Sequence, residues 1–207
     1  MGKVAGVSSA PRPRGRPRSE KTRQAILAAA DELFLEHGLD AVNMDEVAER
    51  AGASNSTIYR WWPSKHVLAL DALVTAWEEA TGLDRDRGSL RADLRALVRP
   101  WVKRVAARPY ARMIAALVAE VHRDPAFGEI WRVDFVQERR RRGRAAFVRA
   151  IERGEIAAST DVELALDLLY GSLYHRLLHG HEPITERIGD RIVDAVLGGV
   201  TELARSA

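Results

Sequence analysis

Between Asn43 and Lys65 the helix start and stop signals crowd together. No helix there has room for more than about two turns, which limits the possible folds more than any other feature. Asn43 followed three residues later by Glu46 reads as a capping pair, with Asn43 as the cap. Val47, Ala48 and Ala51 form a short apolar stripe, and Gly52 ends the element because glycine tolerates the positive φ of a tight turn. Ser54 then caps a second short helix carrying Ser56, Thr57, Ile58, Tyr59 and Arg60; Pro63 interrupts it and Ser64 caps the next. Two short helices joined by a tight turn, between longer ones, have the geometry of a helix-turn-helix. Ala48 and Ala51 are small enough to let the two helices cross closely. Ile58 is expected to face inward, with Trp61 and Trp62 fixing the second helix to its neighbours. Ser54, Asn55, Ser56, Thr57 and Arg60 are left on the outer side, available to a major groove. A hairpin buried within a larger bundle is the competing reading, and it fits poorly with so many outward hydroxyls.

Helical periodicity continues on both sides of this stretch. Ser19 is expected to cap a first helix, with Glu20 in its first turn, Ile26, Ala30, Leu33, Phe34 and His37 along it and Gly38 as its stop. Val67, Leu70, Val74 and Trp77 mark the helix after Ser64, and the charged connection 82–89 is the expected domain boundary. Beyond it the pattern predicts helices over about 90–107 (ended by Pro109), 110–122, 127–154, 161–180 and 183–204. No segment alternates apolar and polar residues long enough to argue for a strand.

The net charge of +3 is unevenly spread. Through Gln24, seven basic residues face Glu20 alone, giving about +6 and leaving about −3 for the rest. The Pro-, Gly-, Ser- and Arg-rich segment 1–18 is expected to be a disordered basic arm that meets a polyanion, the alternative being a solubilising tail. Arg16 and Arg18, in Gly15-Arg16-Pro17-Arg18, suit either a narrow minor groove or general phosphate neutralisation. The chain has no cysteine, which excludes disulfides, thiolate metal sites and cysteine nucleophiles. No apolar run approaches the ~20 residues of a membrane span, no export signal is evident, and a cytoplasmic location is expected. There is no phosphate loop, nucleophile elbow, HExxH or dinucleotide fingerprint, so neither an enzyme nor a cofactor is expected.

The run from Asn43 to Ser54, followed by Thr57-Ile58-Tyr59-Arg60-Trp61-Trp62-Pro63-Ser64-Lys65, resembles the DNA-binding signature of the TetR/AcrR repressors. The resemblance covers about residues 22–73. It implies an all-α fold: a three-helix DNA-binding domain (19–81) ahead of a larger helical bundle (82–207) for ligand binding and dimerisation. It also implies a homodimer on a palindromic operator, released by a small-molecule effector. On matching positions, Asn43, Tyr59 and Lys65 are implied phosphate contacts, Ser54 opens the recognition helix, and Ser56 and Thr57 approach bases or backbone. Ser56 replaces the commoner Gly or Pro, and Trp61-Trp62 replaces a His/Tyr-Phe pair, departures that bear on base preference.

In the C-terminal part, Leu166, Leu169, Leu173 and Leu177, then Ile184, Ile188, Ile192, Val196, Val200 and Leu203, form apolar stripes on the last two helices. Gly171, Gly198 and Gly199 sit within those helices at about 1 kcal/mol each relative to Ala, which close helix approach at a dimer interface would explain, the alternative being packing within the chain alone. Trp101, Tyr110, Met113, Leu117, Phe127, Trp131, Phe135 and Tyr174 are candidates for an apolar effector pocket, each alternatively plain core. His175, His179 and His181 are read as surface and helix-end residues and not as a metal site. Arg139 to Arg142 and Arg144 are read as a solvated, acid-bridged face.

Overall fold

The computed structural model describes residues 17–81 and 85–205, and the side chains of 20–79 and 85–199. Among the described residues there is no strand. Helix α1 (Pro17–His37) opens with proline, whose missing N–H costs nothing in a first turn. It therefore starts before Ser19, which lies inside the helix and does not cap it. Ile26, Ala30, Leu33 and Phe34 are buried along its inner face, and Gly38 at φ +79° ends it. Arg16 and the rest of the expected arm up to it lie outside the described residues, while Pro17 and Arg18 form the first turn of α1.

Helix α2 (Met44–Ala51) begins where Asn43 Oδ1 accepts from the Glu46 N–H at 2.8 Å. It ends at Gly52, φ +61°, where the Gly52 and Ala53 N–H groups bond to the Glu49 and Ala48 carbonyls. Those paired bonds satisfy the orphan carbonyls of the last turn and require a left-handed residue, hence glycine. Helix α3 (Asn55–Trp61) is capped by Ser54, and Ser64 accepts from the Val67 N–H at the start of α4 (Lys65–Thr81). Helix α5 (Leu90–Val105) is capped by Ser89. Pro109 does not terminate α5; it sits in the first turn of α6 (Arg108–Arg123), where proline is preorganised.

The long helix expected over 127–154 starts at Pro125 and has three parts: α7 (Pro125–Ile130), a π-helical stretch Trp131–Gln137, and α8 (Glu138–Glu152). Helices α9 (Val162–His179) and α10 (Glu186–Arg205) complete the chain. Helix α10 packs along α5, where Gly189 lets the backbone approach Val98 and Val102. Beside that contact, Arg95 and Arg99 bond to Asp194 and Asp190 at 2.7–3.1 Å, and Arg91 pairs with Asp194. Helices α1 and α4 pack on α6 and α5, so one contiguous core carries the N-terminal helices on the bundle. No helix among the described residues is long and apolar enough to cross a membrane.

Candidate nucleic-acid interface and cavity

Helix α3 is held from beneath by two side chains. Ile58 is fully buried, and Trp62 is buried with its indole N–H donating to Asp71 Oδ2 at 2.8 Å. Asp71, on α4, also takes both its short bonds from Arg23 of α1, at 2.7 Å. Anchored this way, α3 turns Asn55, Ser56, Tyr59 and Arg60 outward, with Ser54 exposed at its cap and Thr57 half-buried. Tyr59 is 51% exposed, unusual for so large an apolar ring.

The hydroxyls of this face form a cluster centred on Ser54. Its Oγ accepts from the Thr57 N–H and lies 3.0 Å from Ser56 Oγ and 2.8 Å from Thr57 Oγ1. Asn55 Nδ2 donates to Asp45 at 2.5 Å, which ties the start of α3 to the start of α2. The sequence reading did not single out Asp45 or Asp71. Both are acids ten to nine residues from their partner, beyond any local capping signal. Asn43 is exposed at the start of α2, its side-chain oxygen committed to the α2 cap. Lys65 is half-buried, and its ammonium donates to the Leu39 and Asp40 carbonyls, leaving one of three donors. It fastens α4 to the α1–α2 loop.

In the C-terminal bundle a cavity of 350 Å³ is lined by α6, the π-helical stretch, the start of α8, and α9. Trp131, Phe135 and Tyr174 of the expected set are in its wall, together with Val118, Val121, Val136, Tyr170 and Arg139. Trp101, Met113 and Leu117, also expected there, are core residues at most 1% exposed and do not line this cavity, and Tyr110 and Phe127 are core as well. Helix α6 turns Val118, Val121 and His122 to the cavity instead, and Trp101 stands behind Tyr174 with ring centroids 5.7 Å apart.

Four of the five clustered arginines bridge to acids. Arg140 pairs with Glu163 and Asp167, Arg141 with Glu138, Arg142 with Glu138 and Glu78, and Arg144 with Glu163. Arg139 departs from that expectation, being only 4% exposed at the cavity wall. The imidazoles of His175, His179 and His181 pack at 4.6–5.0 Å, and no donor cluster suited to a metal occurs among the described residues.

Helix α9 has two apolar faces. Leu166, Leu169 and Leu173 are fully buried in their own bundle. They pack within the chain, the intramolecular alternative for this stripe. The outward face carries Leu164, Leu168 and Leu178, each 46–51% exposed. Among the described residues a Cβ added at Gly171, Gly198 or Gly199 meets nothing within 4 Å, and Gly171 lies in the cavity wall.

A family model described as bacterial regulatory proteins, tetR family, matches residues 26–72, and one described as tetracyclin repressor-like, C-terminal domain, matches residues 84–196. The chain is 35% identical over 190 residues to an uncharacterized HTH-type transcriptional regulator, YdeS, of Bacillus subtilis, covering 89% of this chain and 93% of that one. It is 32% identical over 183 residues to a DNA-binding transcriptional repressor TetR of Mycobacteroides abscessus, covering 87% and 94%. A crystal structure of a TetR family transcription regulator is similar at TM-score 0.74 and 34% identity, covering 87% of this chain and 98% of that one.

Proposed function

From the premise that the chain belongs to the tetR family of DNA-binding transcriptional regulators, which are not enzymes, we propose that it is a cytoplasmic, dimeric repressor. Two copies of α3 enter successive major grooves of a palindromic operator, and a hydrophobic small molecule in the C-terminal cavity releases the DNA. The observation that carries this reading is the exposure of Asn55, Ser56, Tyr59 and Arg60 on a short helix pinned by buried Ile58 and Trp62. Phosphate contacts from such groups set the register on the duplex and base-edge contacts the sequence preference.

Helix α4 is the supported route from cavity to α3. Trp131 and Phe135 in the cavity wall pack tilted with centroids 4.6 Å apart, Trp131 lies 6.4 Å from Phe127, and Phe127 lies 5.9 Å from His66 at the start of α4. Further along α4, the Arg142 guanidinium sits 4.6 Å over Trp77 and bonds to Glu78 at 3.1 Å. Helix α4 in turn holds Trp62 through Asp71. A ligand that favours one packing of the wall therefore biases where α3 stands, which is the differential binding that release requires.

Selection of bound duplexes from a random pool tests the reading. The expected product is a palindrome with half-sites one helical turn or a multiple apart. Tyr59→Ala and Arg60→Ala, both outside the core, are expected to lower affinity for it about tenfold with unchanged thermal unfolding. An asymmetric product, or variants that bind as the wild type does, would overturn it.

A further inference from the structure

We propose that the C-terminal cavity takes an anionic ligand, a monocarboxylate on an aromatic or medium-length apolar body, whose charge is met by Arg139. The inference rests on the effector-binding reading above and names the chemistry of that site.

Arg139 is a buried cation with no acid partner among the described residues. Its Nη1 donates to the Tyr174 hydroxyl at 3.4 Å and the Tyr170 phenol is within its reach, while Nε is shielded from solvent and bonded to nothing among the described residues. Aromatic rings surround the charge: Tyr170 at 4.5 Å, Phe135 at 5.0 Å and Trp101 at 5.5 Å from the guanidinium carbon. Rings attract a cation but supply its N–H groups no oxygen acceptor beyond the phenol hydroxyls. Burying a charge in that condition is costly unless an acceptor arrives. Its four arginine neighbours all have carboxylates within the chain, so the shortage is local to the cavity wall.

The remaining lining fixes the rest of the ligand. A guanidinium fork matches a carboxylate in a bidentate pair. A phosphate, strongly hydrated and doubly charged, would meet one buried guanidinium without an acid partner, with His122 and the acid-paired Arg140 beside it, in a wall made mostly of Val118, Val121, Trp131, Phe135 and Val136. Burial raises the Tyr170 and Tyr174 phenols above their ordinary range, so both stay protonated, and Tyr174 can accept from Arg139 while donating to the anion. At 350 Å³ the cavity is near the small end of ligand pockets, about 300–1,000 Å³, which suits one or two rings or a medium acyl chain. The wall itself includes the π-helical stretch, a local geometry that recurs at functional sites.

The test uses the full chain without DNA and matched acid and amide pairs: 3-phenylpropanoate, 1-naphthoate and octanoate, each against its primary amide. Binding is followed by calorimetry and by quenching of tryptophan fluorescence. At least one acid is expected to bind tenfold or more tightly than its amide, about 1.4 kcal/mol. Arg139→Met is expected to erase that preference, and Arg139→Lys to keep part of it. Equal binding of acids and amides, persistence of the preference in Arg139→Met, or no saturable binding by any acid overturns the inference. Operator release is read separately by fluorescence anisotropy. Arg139-dependent acid binding that leaves DNA bound sinks the release reading and spares the site, whereas amides that release DNA equally from wild type and Arg139→Met do the reverse.

Discussion

The carboxylate of Asp71 serves two helices at once: it accepts the Trp62 indole N–H from the end of α3 and the Arg23 guanidinium from α1. Trp62 is 2% exposed, so its N–H has no water to turn to if the acceptor is removed. Leaving a buried donor unsatisfied costs about 1–3 kcal/mol, more than an average hydrogen bond contributes. Asp71→Ala is therefore expected to lower unfolding stability by about 2–3 kcal/mol, read as a reduced urea midpoint. Asp71→Asn keeps an oxygen for Trp62 and gives up only the charge toward half-exposed Arg23, so less than half that loss is expected. Equal losses in the two variants would show that the ion pair, and not the indole bond, holds α3. Arg139 makes the complementary point. Four successive arginines point all round a helix, and sequence alone does not say which one turns inward.

At the scale of elements, what was legible in the sequence was local. Asn43 with Glu46, Gly52 and Ser54 mark the turns around α3 because capping is a matter of three or four neighbouring residues. What was not legible depended on phase or distance. An i→i+5 stretch rotates everything after it relative to an α-helical count, so the π-helical segment hid which face of α8 carries Arg139. On α9 the count found the leucine stripe at Leu166, Leu169 and Leu173, but a period does not tell core from interface when a helix has two apolar faces. Glu163, at the start of α9, is where α8 and α9 are joined electrostatically. Its hydrogen bonds from Arg144 and Arg140 hold its carboxyl at about 2, below the usual 4.5. A carboxyl depressed by folding contributes stability that is complete above pH 4.5 and is lost as the pH falls toward 2. The group is half exposed, so solvent and salt screen the effect. Glu163→Gln is expected to flatten the fall of melting temperature across that window, and added salt to shrink the difference. Parallel pH curves for the two proteins would contradict this assignment.

For the whole molecule, the proposed dimer rests on the outward face of α9 and α10. Leu164, Leu168 and Leu178 expose about half their surface, and a Cβ at Gly198 or Gly199 would meet no described atom within 4 Å, which leaves room for another backbone to approach. A two-fold interface repeats every contact, so each leucine counts twice. Completing the burial of a half-exposed leucine contributes roughly 1 kcal/mol, and the symmetric pair roughly 2 kcal/mol. Leu168→Arg removes that contribution and sets two like charges on one interface. Dimer dissociation measured by sedimentation is then expected to rise at least thirtyfold or so. Thermal unfolding of the separated subunit should hardly move, because position 168 lies outside its core. Operator binding should weaken and lose its dependence on a second half-site, since one α3 helix no longer brings the other with it. A variant that stays dimeric at the same concentration would place the contact elsewhere.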